Sequence, residues 1–203
     1  MLPLASLGWH HIWNRGRAAM IEGRVQPLRP EELSDEQRTF LAPFSDAKGR
    51  FHNIFGVLVR HLPLLRAWRD FGVYTMQGSR VPPRMREALI LRAAANRRCA
   101  YEWHHHVRIG RSVGLSDAEI AAIELSEATG DPDLDLAVRA ADELERDATV
   151  SSSVWKDLCT RLELEGAMDA VFTVGAYTAL AMGLNGCGVM IESRGPRTAA
   201  GDA

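Results

Sequence analysis

One segment near the C-terminus constrains the fold more than any other part of the chain. Residues 166–191 (GAMDAVFTVGAYTALAMGLNGCGVMI) carry apolar side chains around nearly the whole circumference of a helix. A helix that is apolar on all sides has to be surrounded by other elements, and its glycines favour close contact with neighbouring helices. We therefore expect this segment to be the central, buried helix of the fold.

The preceding segments show helical patterns that end at proline, glycine and capping residues. Ser34 with Gln37, and Ser116 with Glu119, have the spacing of capping boxes at helix starts. Pro63 lies within a stretch of apolar residues that recur with the helical period. Because proline fits the first turn of a helix but not its interior, Pro63 is expected to begin a new helical piece.

Further helices are predicted along the rest of the chain. They are a helix opened by Pro82 and Pro83, a helix from Cys99 to a C-cap at Gly114, and helices over 133–146 and 151–164, with a short break at 96–98. The sequence has no alternation of strands and helices, no Gly-rich phosphate loop and no internal repeat. The predicted fold class is therefore all-α.

Length and charge limit the domain organisation and the partners. A chain of 203 residues with a net charge of −2 is long enough for one well-buried domain. We expect an N-terminal extension over 1–29, a helical domain over 30–192 and a loose tail over 193–203. Near-neutral charge argues against a nucleic-acid partner. No apolar run approaches the roughly 20 residues that span a bilayer, so no membrane partner is expected either.

The cysteines and the N-terminus favour a cytoplasmic location. Three widely separated cysteines give no disulfide framework. The first residues lack an apolar segment followed by a small-residue cleavage site, so no signal peptide is predicted. Met20 could be the native start instead of Met1.

A set of reactive side chains lies on one face of the predicted helix that begins at Cys99. Glu102 and His106 follow Cys99 by three and seven residues, which places the three side chains within about 60° of one another around a helix. Trp103 flanks this face. His104 and His105 rotate away from it and are expected at the surface or at a subunit contact.

The stretch REALILRAAANRRCAYEWHHHVRIGRSVGLSDAEIAAI resembles the central helical hairpin of the carboxymuconolactone decarboxylase and alkylhydroperoxidase D superfamily. The hydroperoxidase branch has a Glu, eleven intervening residues and then CxxCxxxH, and Glu87, Cys99 and His106 match these positions. The resemblance extends over roughly residues 30–190. It implies an all-α fold with an antiparallel helical hairpin at its centre, and a homo-oligomer, commonly a trimer or hexamer, with sites close to subunit contacts.

One position departs from the pattern of the hydroperoxidases. Glu102 replaces the second cysteine, which in those enzymes attacks peroxide, and Tyr101 replaces a relay histidine. Cys99 corresponds to the cysteine that resolves the disulfide. The two-cysteine cycle cannot run on this motif, whereas the decarboxylase branch works without the cysteine pair.

Acid–base chemistry is therefore the leading hypothesis. An imidazole with a pKa of about 6.5 exchanges protons near neutrality, and burial between helices raises the pKa of a carboxyl group into the same range. His106 and Glu87 would be the acid–base pair, with Glu102 orienting His106 or acting as a second acid. The predicted activity is cofactor-free proton transfer of the decarboxylase or lyase type on a small organic acid or lactone.

Other side chains are expected to form the wall of a pocket for a small, partly apolar substrate. These candidate substrate-binding residues are Tyr101, Trp103, Phe55, His52 and Tyr177. A metal site is not expected, since Glu102 and His106 lack the HExxH order and no third ligand is obvious.

Two alternatives stay open. The first is a thiol-dependent hydroperoxide reductase that uses Cys99, whose pKa would be lowered by the helix start and by Arg97 and Arg98. The second is a non-catalytic helical module that has kept the fold and lost the chemistry.

Overall fold

The structure, a computed structural model, describes residues 23–192. Within that range the chain forms eight α-helices and no strand, which confirms the predicted all-α class. The helices are α1 (Asp35–Leu41), α2 (Asn53–Leu58), α3 (Leu62–Val73), α4 (Pro83–Arg97), α5 (Ala100–Ser112), α6 (Asp117–Leu125), α7 (Pro132–Asp147) and α8 (Ser152–Cys187). A single π-helical turn, Tyr74–Gly78, follows α3.

Helix α4 is at the centre of the main core, where it contacts α5, α6, α7 and α8. Its middle is buried on nearly every side, from Met85 to Ala94, with only Arg92 partly exposed in that stretch. Alanines at 93–95 have short side chains that let neighbouring helices approach closely. The central helix is thus α4, whereas the sequence analysis expected the C-terminal one.

Helix α8 joins two segments that the sequence predicted as separate helices. Glu163 marks the junction, because its backbone leaves the helical region (φ 59°, ψ −179°). A residue other than glycine is seldom found in that conformation, which costs on the order of 1–3 kcal/mol. The two helical pieces on either side of Glu163 can therefore pack against different neighbours.

One face of α8 is exposed, so the expectation of burial on all sides is wrong for this helix. The exposed face carries large apolar side chains and glycines: Leu164, Met168, Phe172, Gly175, Met182, Gly183 and Gly186. A Cβ atom at any of the last three glycines, 175, 183 and 186, would have no neighbour within 4 Å. The close helix contact that glycines permit is therefore not made here within the described chain.

Among residues 23–192, α8 is also the one helix long and apolar enough, by length and composition, to cross a membrane. Half of its apolar window is buried inside the fold. Core helices of soluble proteins meet the same two criteria. By this measure α8 is more apolar than the sequence analysis expected.

Local signals in the sequence placed the helix ends well. The side chains of Ser34 and Ser116 accept hydrogen bonds from the backbone N–H groups of Gln37 and Glu119, forming the two predicted capping boxes. Pro63 lies in the first turn of α3. Arg98 adopts a left-handed conformation (φ 51°) at the predicted break, so only Arg98 and Cys99 join α4 to α5.

The N-terminal part of the described chain forms a smaller second core. Leu33, Leu41, Val59, Leu62 and Leu65 are buried there. Residues 23–29, predicted to belong to the extension, are attached to the end of α8 by backbone hydrogen bonds from 23 and 25 to the carbonyls of 188 and 187. The rest of the extension, both candidate start residues and the tail over 193–203 lie outside the described residues.

Candidate functional site

Two residues of the predicted site form a buried pair between α4 and α5. The Nδ1 atom of His106 lies 2.8 Å from Oε2 of Glu87. Glu87 is fully buried and His106 is 8% exposed. Glu87 and His106 are therefore brought together, as the resemblance to the family motif implied, away from bulk water.

Arg86 balances the charge of Glu87 from the other side. Its Nε atom lies 3.6 Å from Oε1 of Glu87, and its side chain is also buried. Arg84 and Arg92, the other arginines near Glu87 in sequence, form ion pairs elsewhere, with Glu119 and Asp131 and with Asp142, respectively. A buried carboxylate is tolerated when charged partners compensate it, and Arg86 and His106 supply that compensation.

Glu102 is a buried carboxyl group of a different kind. It is 2% exposed, and neither of its oxygens has a hydrogen-bond partner among the described residues. Burial raises the pKa of Glu102 well above the usual range of a carboxyl group. Burial therefore favours the protonated form of Glu102, which can donate a proton.

Cys99 is the N-cap residue of α5 and is fully buried. Burial raises the pKa of the Cys99 thiol to about 12, and the nearby Glu102 adds to the increase. The backbone N–H groups of Tyr101 and Glu102 act in the opposite direction but are outweighed. The prediction that the helix start and its arginines lower this pKa is therefore wrong, and the side chain of Arg97 instead pairs with Glu145.

Tyr177 on α8 forms part of the wall of this site. Its ring meets the ring of His106 edge to face, with 5.0 Å between centroids. Its hydroxyl donates a hydrogen bond to the sulfur of Met76 in the π-helical turn. Burial, together with the carboxylates of Glu87 and Glu102, raises the pKa of Tyr177.

Three of the expected pocket residues lie away from the Glu87 site: Phe55, Tyr101 and His52. Trp103 is packed in the main core, which also contains Tyr177. Phe55 stacks on Phe44 in the smaller core, with 4.7 Å between ring centroids. Tyr101 donates a hydrogen bond from its hydroxyl to Oε1 of Glu192 (2.8 Å) and accepts one from the backbone N–H of Ile54.

Glu192 gathers a second group of polar side chains, which we name the Glu192 cluster: His52, Tyr101, His105 and Glu192. The Nε2 atom of His105 lies 3.0 Å from Oε2 of Glu192, and Nδ1 of His52 lies 3.5 Å from Oε1. His105 is half-buried in this cluster rather than at the surface where it was expected, while His104 is exposed. His52 and Tyr101 thus belong to this cluster and not to the Glu87 site.

The sequence analysis missed two residues of these groups. Arg86 is one of three arginines close to Glu87 in sequence, and no pattern distinguished it from Arg84 and Arg92. Glu192 stands at the edge of the Arg/Gly/Ala-rich tail, outside any helical period, so no local pattern marked it.

The family comparison agrees with the resemblance seen in the sequence. The model of the carboxymuconolactone decarboxylase family matches residues 63–143. The match supports the resemblance of this part of the chain to the carboxymuconolactone decarboxylase-like superfamily. A comparison with curated proteins returns no match.

The matched region covers α3 to most of α7 and contains Glu87, Cys99, Glu102 and His106. Tyr177 and two members of the Glu192 cluster, His52 and Glu192, lie outside it. Carboxymuconolactone decarboxylase family members are often enzymes of the decarboxylase or peroxidase kind. The family match alone selects neither activity.

Proposed function

We propose that this chain is a cofactor-free enzyme that transfers protons on a small organic acid or lactone, with decarboxylase- or lyase-type chemistry. The observation that carries the proposal is the Glu87–His106 pair, 2.8 Å apart and buried, on the same two helices as Glu102, whose pKa burial raises. Two carboxyl groups in different surroundings next to an imidazole are an arrangement suited to acid–base catalysis.

Each side chain has a distinct task in this proposal. Glu87 holds Nδ1 of His106, which sets the orientation of the ring and leaves Nε2 to exchange a proton with the substrate. Glu87 also stabilises the imidazolium that forms when His106 takes up a proton. Glu102 donates its proton, or a hydrogen bond, to the negative charge that develops on the substrate when a C–C or C–O bond breaks.

Substrate access requires local opening, because all four motif residues are less than a tenth exposed. His106 is the most exposed of them, and Tyr177 and Met76 lie on its side of the site. We propose that the substrate enters there, where the π-helical turn Tyr74–Gly78 covers Tyr177. Short π-helical segments are frequent at functional sites.

The experiment is a turnover screen of small organic acids and lactones, beginning with a carboxymuconolactone, the compound in the family name. Any substrate found is then tested with three variants. His106→Ala and Glu87→Gln are expected to lower kcat by about 10²–10⁴-fold. Cys99→Ser, the matched control in the same site, is expected to retain turnover.

Two outcomes would overturn the proposal. If Cys99→Ser abolishes turnover of a hydroperoxide while His106→Ala does not, the chain is a thiol peroxidase. If folded wild-type protein turns over no compound of either class, the non-catalytic module is the better account. Circular dichroism of each variant separates loss of chemistry from loss of the fold.

We also propose that the exposed face of α8 packs against a second copy of this chain. Phe172 is 59% exposed, and the glycines at 175, 183 and 186 leave room for another helix. An apolar face of this length is unusual on a monomer. Burying it between copies would remove it from water and supply the missing helix contact.

Sedimentation velocity tests this assembly. Wild-type protein is expected to sediment as a homo-oligomer and Phe172→Glu as a monomer, because a charge in an apolar interface is costly. Lys156→Glu, a charge change at an exposed position elsewhere on α8, is the control and should leave the oligomer intact. A wild-type monomer at all concentrations would contradict the proposal.

A further inference from the structure

The Glu192 cluster brings together ligand-type atoms from three distant parts of the chain. His52 precedes α2, His105 lies on α5, and Glu192 follows α8. Nδ1 of His52, Nε2 of His105 and the carboxylate of Glu192 all lie within 4.8 Å of one another. All three side chains are at least two-thirds buried, so they face one another more than solvent.

These distances suit a small divalent ion. Zinc bonds of about 2.0–2.2 Å in tetrahedral geometry place ligand atoms about 3.3 Å apart. Nε2 of His105 lies 3.0 Å from Oε2 of Glu192, and Nδ1 of His52 lies 3.5 Å from the other carboxylate oxygen, Oε1, so both distances are close to that value. The two imidazoles would have to move closer to each other to complete the geometry.

The ring of His52 also favours a cation at this place. Its Nδ1 atom is buried and makes no hydrogen bond, although it lies 3.5 Å from Oε1 of Glu192. A ring nitrogen in this position can act as a metal ligand.

The surrounding groups hold the carboxylate in one orientation. The hydroxyl of Tyr101 and the backbone N–H of Asn53 both donate to Oε1 of Glu192, at 2.8 and 2.6 Å. Oε2 is left to face His105. Such hydrogen bonds from outside the ligand set are typical of metal-binding carboxylates.

We propose that His52, His105 and Glu192 bind one divalent first-row metal ion, with zinc as the best fit. Two imidazoles and one carboxylate are a common zinc donor set and leave a fourth position for water or another ligand. The ion would tie the segment after α8 to α2 and α5. This site is separate from the Glu87–His106 pair and does not depend on the proposed function.

The test is metal binding by the full-length chain after treatment with a chelator. We expect zinc titration against a chromophoric chelator to give one site per chain. Cobalt(II) should give visible d–d bands without a sulfur charge-transfer band, which would exclude Cys99, Cys159 and Cys187 as ligands. Zinc should also raise the Tm of the wild-type protein.

Variants assign the site to these residues. His105→Ala, Glu192→Gln and His52→Asn are each expected to weaken zinc binding by about 100-fold or more, and to abolish the rise in Tm. His104→Ala, the exposed neighbour on the same helix, is the matched control and should bind as wild type. His52→Asn, at the most exposed ligand, keeps the test valid if another variant fails to fold.

Two results would overturn the inference. One is absence of zinc binding by the wild-type chain. The other is binding that persists in Glu192→Gln and His105→Ala but is lost in His104→Ala or in a variant that replaces His10 and His11. Either result would mean that the cluster is an ion-paired network that fastens the end of the described chain.

Discussion

The Glu87 site and the Glu192 cluster each include polar side chains of α5, yet the two groups differ in how they are assembled. Glu87, Glu102 and His106 come from two helices joined by two residues and lie inside the region matched by the family model. The Glu192 cluster needs segments 140 residues apart, and only Tyr101 and His105 lie in the matched region. Adjacent residues of one helix, His105 and His106, therefore serve two different groups.

The carboxyl groups of the two regions differ in their surroundings, and this difference indicates what each region is suited to do. The Glu87 site holds one carboxyl group whose pKa is raised by burial and one that pairs with His106, an arrangement that favours proton exchange. In the Glu192 cluster burial acts to raise the pKa of the single carboxyl group, but hydrogen bonds from the surrounding donors hold it well below the usual range. Such a group is suited to fastening chain segments or holding a cation.

The largest expected effect concerns the thiol in the Glu87 site. Because Cys99 is fully buried and its pKa is raised to about 12, it should react with iodoacetamide at least about 100-fold more slowly than Cys159 or Cys187. Peptide mass mapping of the time course measures this, and unfolding in urea should remove the difference. If Cys99 is the first cysteine to react, the site is built for thiol chemistry and the contrast drawn above fails.

The second prediction compares the loss of stability when one tyrosine in each region is replaced by phenylalanine. Tyr101→Phe removes a hydroxyl that bonds to ionised Glu192, and should lower the free energy of unfolding by about 1.5–3 kcal/mol. Tyr177→Phe removes a donated bond to a thioether sulfur, a weak acceptor, and an interaction with the hydroxyl of Thr75, and should cost less than about 1 kcal/mol. Urea unfolding of both variants checks the order, and equal losses would argue against a special status for the Glu192 cluster.

The third prediction is a pH dependence that belongs to the Glu87 site. The pKa of Glu102 is raised in the folded state, so the stability it contributes is present below its unfolded pKa and is lost as pH rises. From about pH 5 upward, wild-type protein should lose stability relative to Glu102→Gln, by at most about 1.4 kcal/mol per pH unit. Urea midpoints from pH 5 to 9 measure the difference.

Parallel stability curves for the two proteins would show that Glu102 is already ionised in the folded protein. The proposed proton donor would then be absent.

Local patterns in the sequence predicted much of the fold and the acid–base pair. Capping boxes, Pro63 and the break near Arg98 depend on neighbouring residues, so their positions can be determined from a short window. The convergence of Glu102 and His106 follows from helical spacing, and that of Glu87 from the motif. These features need no knowledge of distant contacts.

Features that depend on packing between distant parts of the chain could not be predicted from local sequence patterns. Helix α4 is more central than α8 because more helices pack around it. The apolar periodicity of a sequence does not show which helices will be its neighbours. The pKa of Cys99 followed burial rather than the helix start, and burial is a property of the assembled core. Glu192 acquired its partners from residues far away along the chain.

The two-residue junction at Arg98 and Cys99 has a consequence for how such a site can change over time. An insertion there would turn α5 by about 100° per added residue and swing the imidazole out of reach of Glu87. Substitutions at the reactive positions do not change the rotation of α5 relative to α4. The chemistry at this junction can thus diversify by substitution, whereas a change in its length would dismantle the site in a single step.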